Sequence, residues 1–265
     1  MVESLVAELA IGLGVALGLM AATWWVAGRI NNYSIVDGVW AGSFSLIAVV
    51  FASMAKVQGP RRFWFLVVVC SWSLRLCFYL TRRIASHHPQ EDGRYLDLRV
   101  RYAPHVKRGF FWFFQMQGLS VAALSVPFAI AFHNPRTAPS LVEWIGGGLA
   151  LLSLAGEALA DGQMSQFKKI LGNRGKTCKV GLWRFSRHPN YFFESMIWWG
   201  FYMMALGSPG GWATIYCPLG MLYLLLKVTG VPMAEAQALK SRGEEFRRYQ
   251  RETSVFVPWF PKLLP

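Results

Sequence analysis

Residues 9–28 read LAIGLGVALGLMAATWWVAG, twenty positions without a charged side chain. As a helix this run rises about 30 Å, the thickness of a bilayer's hydrocarbon core. Inside that core only a helix or a closed barrel satisfies its own backbone groups. Six further runs follow. Residues 38–55 and 109–132 carry no charge, and 63–81 is interrupted only by Arg75. Residues 141–160 contain Glu143 and Glu157, 191–207 contain Glu194, and 212–226 are uncharged. These runs predict an all-α, polytopic membrane protein with seven transmembrane helices. The first run lacks a basic leader and a clear cleavage site, so it reads as a span and not as a signal peptide.

The composition agrees. Of 265 residues, 54% are hydrophobic and only 15% charged, and the mean hydropathy is +0.32. Soluble domains carry about 25% charged residues. Disorder, a coiled coil and a small disulfide scaffold are excluded. The four cysteines (Cys70, Cys77, Cys178 and Cys217) are scattered and form no CxxC, so no metal site or disulfide framework is expected. There are no internal repeats or linkers, and the chain reads as a single transmembrane domain over 1–265.

The 27 basic residues outnumber the 14 acidic ones, for a net charge of +13. Segments 82–109, 161–190 and 227–265 hold seven Lys/Arg each, 21 of the 27. Seven spans put all three on one face, which the positive-inside rule makes cytoplasmic. The N-terminal end, with Glu3 and Glu8, then lies outside, while Lys56, Arg61 and Arg62 run mildly against this assignment. The expected location is a bacterial inner membrane, multi-pass, with a cytoplasmic C-terminus.

Ionisable residues within spans cost roughly 2.5–3.5 kcal/mol each at a helix centre and are candidates for function. Here they are Asp37, Arg75, Glu157 and Glu194. The richest stretch is 181–200, GLWRFSRHPNYFFESMIWWG. His188-Pro189-Asn190-Tyr191 opens an apolar helix, Pro suits its first turn, and Glu194 shares a face with Asn190. Lys179, Arg184 and Arg187 beside a helix start would suit an anion. A basic membrane-border loop explains those charges equally well, but not a Glu one turn into the membrane. Glu157, Asp161 and Lys168 recur at spacings of four and seven on one helical face. They suit a ligand with hydroxyls and phosphates, or an amphipathic interfacial helix. His87-His88 reads as loop surface, and Gly146-Gly147-Gly148 as close helix packing. No GxGxxG follows a strand, so a dinucleotide would not sit in a Rossmann domain.

These residues resemble the membrane steroid 5-alpha-reductase family, in its bacterial branch. The similarity is clear over 157–258, including the ending YQRETSVFVPWF, and weaker over WSLRLCFYLTRR and EDGRYLDLR within 72–99. The Arg-His-Pro-Asn-Tyr-x-x-Glu string is shared with isoprenylcysteine methyltransferase-like enzymes, which use S-adenosylmethionine. The resemblance implies seven helices, NADPH bound through the last three, and reduction of the 4,5 double bond of 3-oxo-4-ene steroids. It implies a substrate cavity among helices 1–4 in 1–133 and a cofactor-binding half in 141–265. It places Asp161, Lys168, Lys179, Asn190 and Glu194 at the cofactor. Glu157 stands where vertebrate members carry Asn, Lys227 where they carry Arg, and Glu235 where they carry Tyr. Arg75, Arg94, Tyr95, Arg184, Arg187, His188 and Tyr191 complete the expected cofactor set.

On the substrate side Asp37 matches a family Glu, while Val36 and Trp72 replace its Gln and Tyr. Tyr33 and Tyr79 are the nearby phenols. Hydride addition to an enone builds charge on the ketone oxygen, which needs a donor. A protonated Asp37 would serve, with or without a tyrosine, and an Arg75 that held it ionised would prevent this. The sequence admits both. The expected ligands are NADPH, a steroid or other lipophilic enone, and membrane lipid. No nucleic acid or obligate protein partner is expected, so the protein is expected to be a monomer. Methyl transfer from S-adenosylmethionine and a non-catalytic lipid-binding role are the rival readings.

Overall fold

The structure is a computed structural model that describes residues 2–262; the side chain of Glu3 lies outside the described residues. The described residues are helical, joined by turns, and contain no strand. In chain order come α1 (Val2–Ile30), α2 (Ile35–Met54), α3 (Pro60–His87), α4 (Gly93–Tyr102), α5 (Val106–Leu124) and α6 (Val126–His133). There follow α7 (Leu141–Lys169), α8 (Pro189–Leu206), α9 (Tyr216–Tyr223), α10 (Val231–Arg242) and α11 (Glu244–Glu252). Six stretches are long and apolar enough to cross a membrane: 4–30, 35–54, 60–87, 106–133, 141–169 and 211–242. The seventh expected span, 191–207, is a helix but is not among them. Its 18 residues include Glu194 and four Trp or Tyr, Tyr191, Trp198, Trp199 and Tyr202, which lower its hydropathy.

Sequence chemistry explains the breaks. Asn31 ends α1 in the left-handed region (φ 53°), which Asn tolerates. The 106–133 stretch is broken at Ser125 because Pro127 brings no N–H to the ladder and favours a new first turn. Arg75 does not interrupt α3, since its guanidinium lies over the Tyr79 ring at 5.3 Å. The last run, expected to end at 226, continues through a π-turn at Leu224–Val228 into α10.

The chain divides into two compact units: 1–143 with 204–211, and 144–203 with 212–265. In the first, α2 packs along α3 and α1 along α5. Its core is aromatic, with Phe44, Phe65, Trp72, Phe110, Phe114 and Phe128 buried. One end of this unit is closed by a buried ion pair. Arg61, 3% exposed, donates from Nε (2.9 Å) and Nη2 (2.7 Å) to Glu143 Oε1, and Glu143 is fully buried. Arg61 also donates to Ser208 Oγ (2.9 Å) and the Ala131 carbonyl, while Ser140 donates to Glu143 Oε2 through N (2.6 Å) and Oγ (3.0 Å). Arg61 is therefore not the exposed outer charge that its position suggested. The Glu143 carboxyl fills the space a methyl would need at Gly207, so only glycine fits there. In the second unit α7 and α8 approach closely: a Cβ on Gly200 would lie 2.6 Å from the Gly146 carbonyl oxygen.

Removing one member of such a pair strands a buried charge and costs about 3–5 kcal/mol. Glu143→Ala is expected to lose that much stability in detergent, measured by thermal melting. The Arg61→Leu/Glu143→Leu double variant is expected to melt above the single variant. A single variant with wild-type melting would mean the pair is dispensable.

Candidate functional site

In the second unit, acidic and amide groups cluster between the late turns of α7 and the start of α8. Glu157, Asp161, His188 and Glu194 are all buried. Asn190 Nδ2 donates to Asp161 Oδ1 at 3.3 Å, while Asn190 Oδ1 is buried with no hydrogen-bond partner. Trp198 Nε1 donates to Glu194 Oε1 at 2.9 Å, an i, i+4 pair on α8. A Cβ at Gly156 would lie 2.5 Å from the Phe193 ring, so the two helices meet tightly at this level. Tyr191 stacks on His188, with centroids 5.3 Å apart and planes inclined by 2°. Lys168, Arg184 and Lys227 are exposed, Lys227 within the π-turn.

Beside this cluster Glu235 gathers three partners. Arg187 Nε donates to its Oε1 at 2.7 Å, His188 Nε2 lies 3.2 Å from the same oxygen, and Gln250 Nε2 donates to Oε2 at 2.6 Å. Arg187 Nη1 also donates to the carbonyls of Gln250 (2.9 Å) and Thr253 (2.6 Å). Lys179 pairs with Glu252 at 2.9 Å. Arg187, His188 and Lys179, expected at the cofactor with Glu235, thus spend their polar atoms on α10, α11 and the residues that follow. The Tyr249 hydroxyl donates to the Trp183 carbonyl, and burial, with the Cys178 thiol nearby, pushes its ionisation upward. Trp183 Nε1 in turn donates to the Ala160 carbonyl at 2.8 Å, so the loop before α8 is tied to both flanks.

In the first unit Asp37 forms a second network. Its Oδ1 accepts from the Tyr95 hydroxyl (2.6 Å) and its Oδ2 from Arg94 Nη2 (2.8 Å). The cation at Asp37 is therefore Arg94, not Arg75. Asp92 caps α4, accepting from Arg94 N at 3.1 Å, and also pairs with Arg94 Nε (3.0 Å) and Arg83 (3.2 Å). Burial and the Asp37 carboxylate push the Tyr95 phenol well above its usual value. Tyr33 is 3% exposed and stacked on Phe110 at 3.8 Å; burial raises its ionisation too, against Arg99. Glu91 accepts from Tyr33 N and Arg99 Nε, both at 2.5 Å. Arg75 and Tyr79 are half-buried on α3.

Reasoning from the sequence missed Glu91, Asp92, Arg99, Gln163 and Gln250. Gln163 accepts from Leu182 N at 2.9 Å. Only the i, i+2 spacing of Asp92 and Arg94, a helix-cap pattern, was readable from the chain.

Glu235→Gln removes the charge and keeps the size. It is expected to destabilise the protein by about 2–3 kcal/mol, the worth of hydrogen bonds to a charged group. Trypsin should then cleave faster after Arg187, and a wild-type cleavage rate would show that Glu235 is not needed. Acid should act on the Asp92 cap. Burial raises this carboxyl, but Arg94 and Arg83 outweigh it and hold it below the usual carboxylate range. A folded value below the unfolded one, about 3.9, means stability present above about pH 4 and lost as pH falls through the folded value. Hydrogen exchange over 88–102, corrected for intrinsic rates, is expected to accelerate at about pH 3 relative to about pH 6, and Asp92→Asn should remove the difference.

No solved structure matches the chain. An uncharacterized protein of Schizosaccharomyces pombe is 27% identical over 280 residues, covering 94% of this chain and 79% of the relative. A family described as "Protein of unknown function (DUF1295)" matches residues 23–253. The match spans most of the sequence, including both polar networks, and the chain belongs to that membrane-protein family.

Proposed function

We propose that this chain is an NADPH-dependent reductase of the steroid 5-alpha-reductase type, acting on the 4,5 double bond of a 3-oxo-4-ene steroid or a similar lipophilic enone. The observation that carries the reading is the buried acceptor cluster of Glu157, Asp161, Asn190 and Glu194, with the Asn190 Oδ1 left unpartnered. An orphaned buried acceptor is costly, and a ligand bringing donors relieves it. The ribose hydroxyls and carboxamide of a nicotinamide dinucleotide are such donors. The family's relation to steroid 5-alpha-reductase-like membrane proteins supports the same reading.

The residues fit the cofactor in kind. Asp161 and Glu194 would accept from hydroxyl or amide groups, and Asn190 would add its free oxygen. Lys168, Arg184 and Lys227, all exposed, would neutralise phosphates, including the 2′-phosphate. Arg187, His188 and Glu235 act as positioning residues, holding the loop before α8. When bound, NADPH would supply a hydride to the enone's β carbon. The ketone oxygen then needs a donor. Asp37 has both oxygens engaged as acceptors, and Tyr33 is packed under Phe110. Tyr79, half-buried on α3 beneath the Arg75 guanidinium, is the donor we propose.

Seven spans remain our proposal for the topology, with the three basic segments cytoplasmic. Contacts along α7 and α8 support it. Glu143 meets Gly207, Gly146 and Ala150 meet Gly200, Gly156 meets Phe193, and Asp161 lies beside Asn190. The two helices run antiparallel over a matching length, so α8 crosses whatever thickness α7 crosses.

Detergent-purified protein is expected to bind NADPH and to reduce testosterone or progesterone at the 4,5 bond. Asn190→Ala and Glu194→Ala should each weaken NADPH about tenfold, one lost hydrogen bond's worth, and do so more than they change the fold, read as far-UV circular dichroism. Tyr79→Phe should keep NADPH affinity and lose on the order of 100- to 1000-fold in turnover. Binding of S-adenosylmethionine in place of NADPH would overturn the assignment.

A further inference from the structure

Residues 253–262, TSVFVPWFPK, follow α11 as an extended segment. Pro258 and Pro261 keep it out of helix. Besides the bond from Arg187 Nη1 to the Thr253 carbonyl, four hydrogen bonds stitch it down. Arg187 N donates to the Ser254 carbonyl (2.8 Å), Trp259 N to the Phe185 carbonyl (2.9 Å), and Lys262 N to the Glu252 carbonyl (2.8 Å). Ser186 Oγ donates to the Phe256 carbonyl at 2.8 Å. The segment alternates. Phe256 is buried, its ring 5.8 Å from Phe192, while Val255 and Val257 on either side are exposed. Trp259 and Phe260 are 70% and 76% exposed. Two large rings left in the open at a fixed place ask for an apolar neighbour.

The charges beside them are unevenly answered. Glu252 is neutralised by Lys179 and Arg248, and Arg187 by Glu235. Arg251 and Lys262 have no acidic partner among the described residues. They line, with Arg187, the neutralised Glu252, Trp259 and Phe260, an open pocket of about 390 Å³. The depth of this pocket follows from the stitching: Phe185 and Arg187, its anchors, stand within four residues of Pro189, where the apolar helix α8 begins. Cations and exposed aromatic rings at the end of an apolar helix match the headgroup layer of a bilayer.

We propose that this pocket is a docking site for an anionic membrane phospholipid. Its phosphodiester sits against Arg251 and Lys262, and its upper acyl chains run over Trp259 and Phe260. A soluble phosphate accounts for the cations but not for the paired exposed rings. The site is separate from the Asp161–Asn190 cluster, and its occupant anchors the segment that carries the Thr253 and Ser254 carbonyls, both of which accept from Arg187.

The test uses the full chain in a neutral detergent, with short-chain phosphatidylglycerol, phosphatidylcholine or inorganic phosphate added and melting followed. Phosphatidylglycerol is expected to raise the melting temperature saturably, and phosphatidylcholine and inorganic phosphate to do so much less. A basic side chain near a membrane surface contributes about fivefold in affinity. Arg251→Gln/Lys262→Gln should therefore weaken phosphatidylglycerol by about 25-fold. Lys240→Gln/Arg247→Gln, with the same net charge but outside the pocket, should leave it within about twofold. Trp259→Ala should weaken the lipid while leaving the response to inorganic phosphate unchanged. Equal weakening by the two double variants would reduce the effect to net charge and overturn the site. A response to inorganic phosphate as large as that to phosphatidylglycerol would overturn the lipid assignment.

Discussion

A charge inside an apolar helix bundle must bring its counter-charge with it, and the Arg61–Glu143 pair is where this constraint acts most strongly. The desolvation cost is met only because every remaining donor and acceptor is also engaged. Ser140 and Ser208 supply hydroxyls, and Ala131 supplies a carbonyl at a helix end. The pair thereby joins the start of α3, the last turns of α6, the start of α7 and the residues after α8. Segments as far apart in sequence as residues 61 and 208 are held at one level by two side chains. Hydrocarbon packing alone sets no such level, because an apolar helix can slide along its neighbour at little cost.

The same constraint organises the basic ends of the helices. Segments 82–109, 161–190 and 227–265 hold 21 bases against 8 acids. Three of these acids are shared: Glu235 serves Arg187, His188 and Gln250, Asp92 serves Arg83 and Arg94, and Glu252 serves Lys179 and Arg248. Glu235 has the widest reach. By holding Arg187 it fixes the peptide that leads into Pro189, and so the rotation of α8 about its axis. That rotation turns Asn190 toward Asp161. A structural ion pair thus sets the geometry of the candidate cluster without belonging to it.

The helices were legible because hydrocarbon imposes a simple length rule, and uncharged runs report it directly. Arg75 in α3 did not disturb the reading, since one cation over an aromatic ring is tolerated. Residues 191–207 show the limit of the rule: Trp and Tyr count as weakly polar on transfer scales, yet four of them line α8. The buried carboxylates were legible one by one, as costly residues in the wrong solvent. Their partners were not. Arg94 lies 57 residues from Asp37, and Glu235 lies 48 from Arg187. No local periodicity encodes such distances. A loop arginine awaiting a phosphate and one already spent on a distant glutamate look the same in sequence.

One clue could have separated them. When acids are scarce, each acid near a basic loop is claimed internally before any cation is left for a ligand. Glu235, Glu252 and Asp92 all stand beside basic segments, so their neighbours Arg187, Lys179 and Arg94 were the cations to discount. Arg184, Lys227, Arg251 and Lys262 have no acidic partner among the described residues, and are the cations to consider for anions from outside. The complementary clue is on the acceptor side. Both Glu235 oxygens are engaged within the fold, by Arg187, His188 and Gln250, whereas Asn190 keeps an oxygen buried and unmet. Saturated groups hold a fold in place, and an unmet acceptor is paid for in stability, which selection tolerates where a bound molecule repays it. That contrast, and not the number of polar residues, separates the scaffold of this unit from its candidate site.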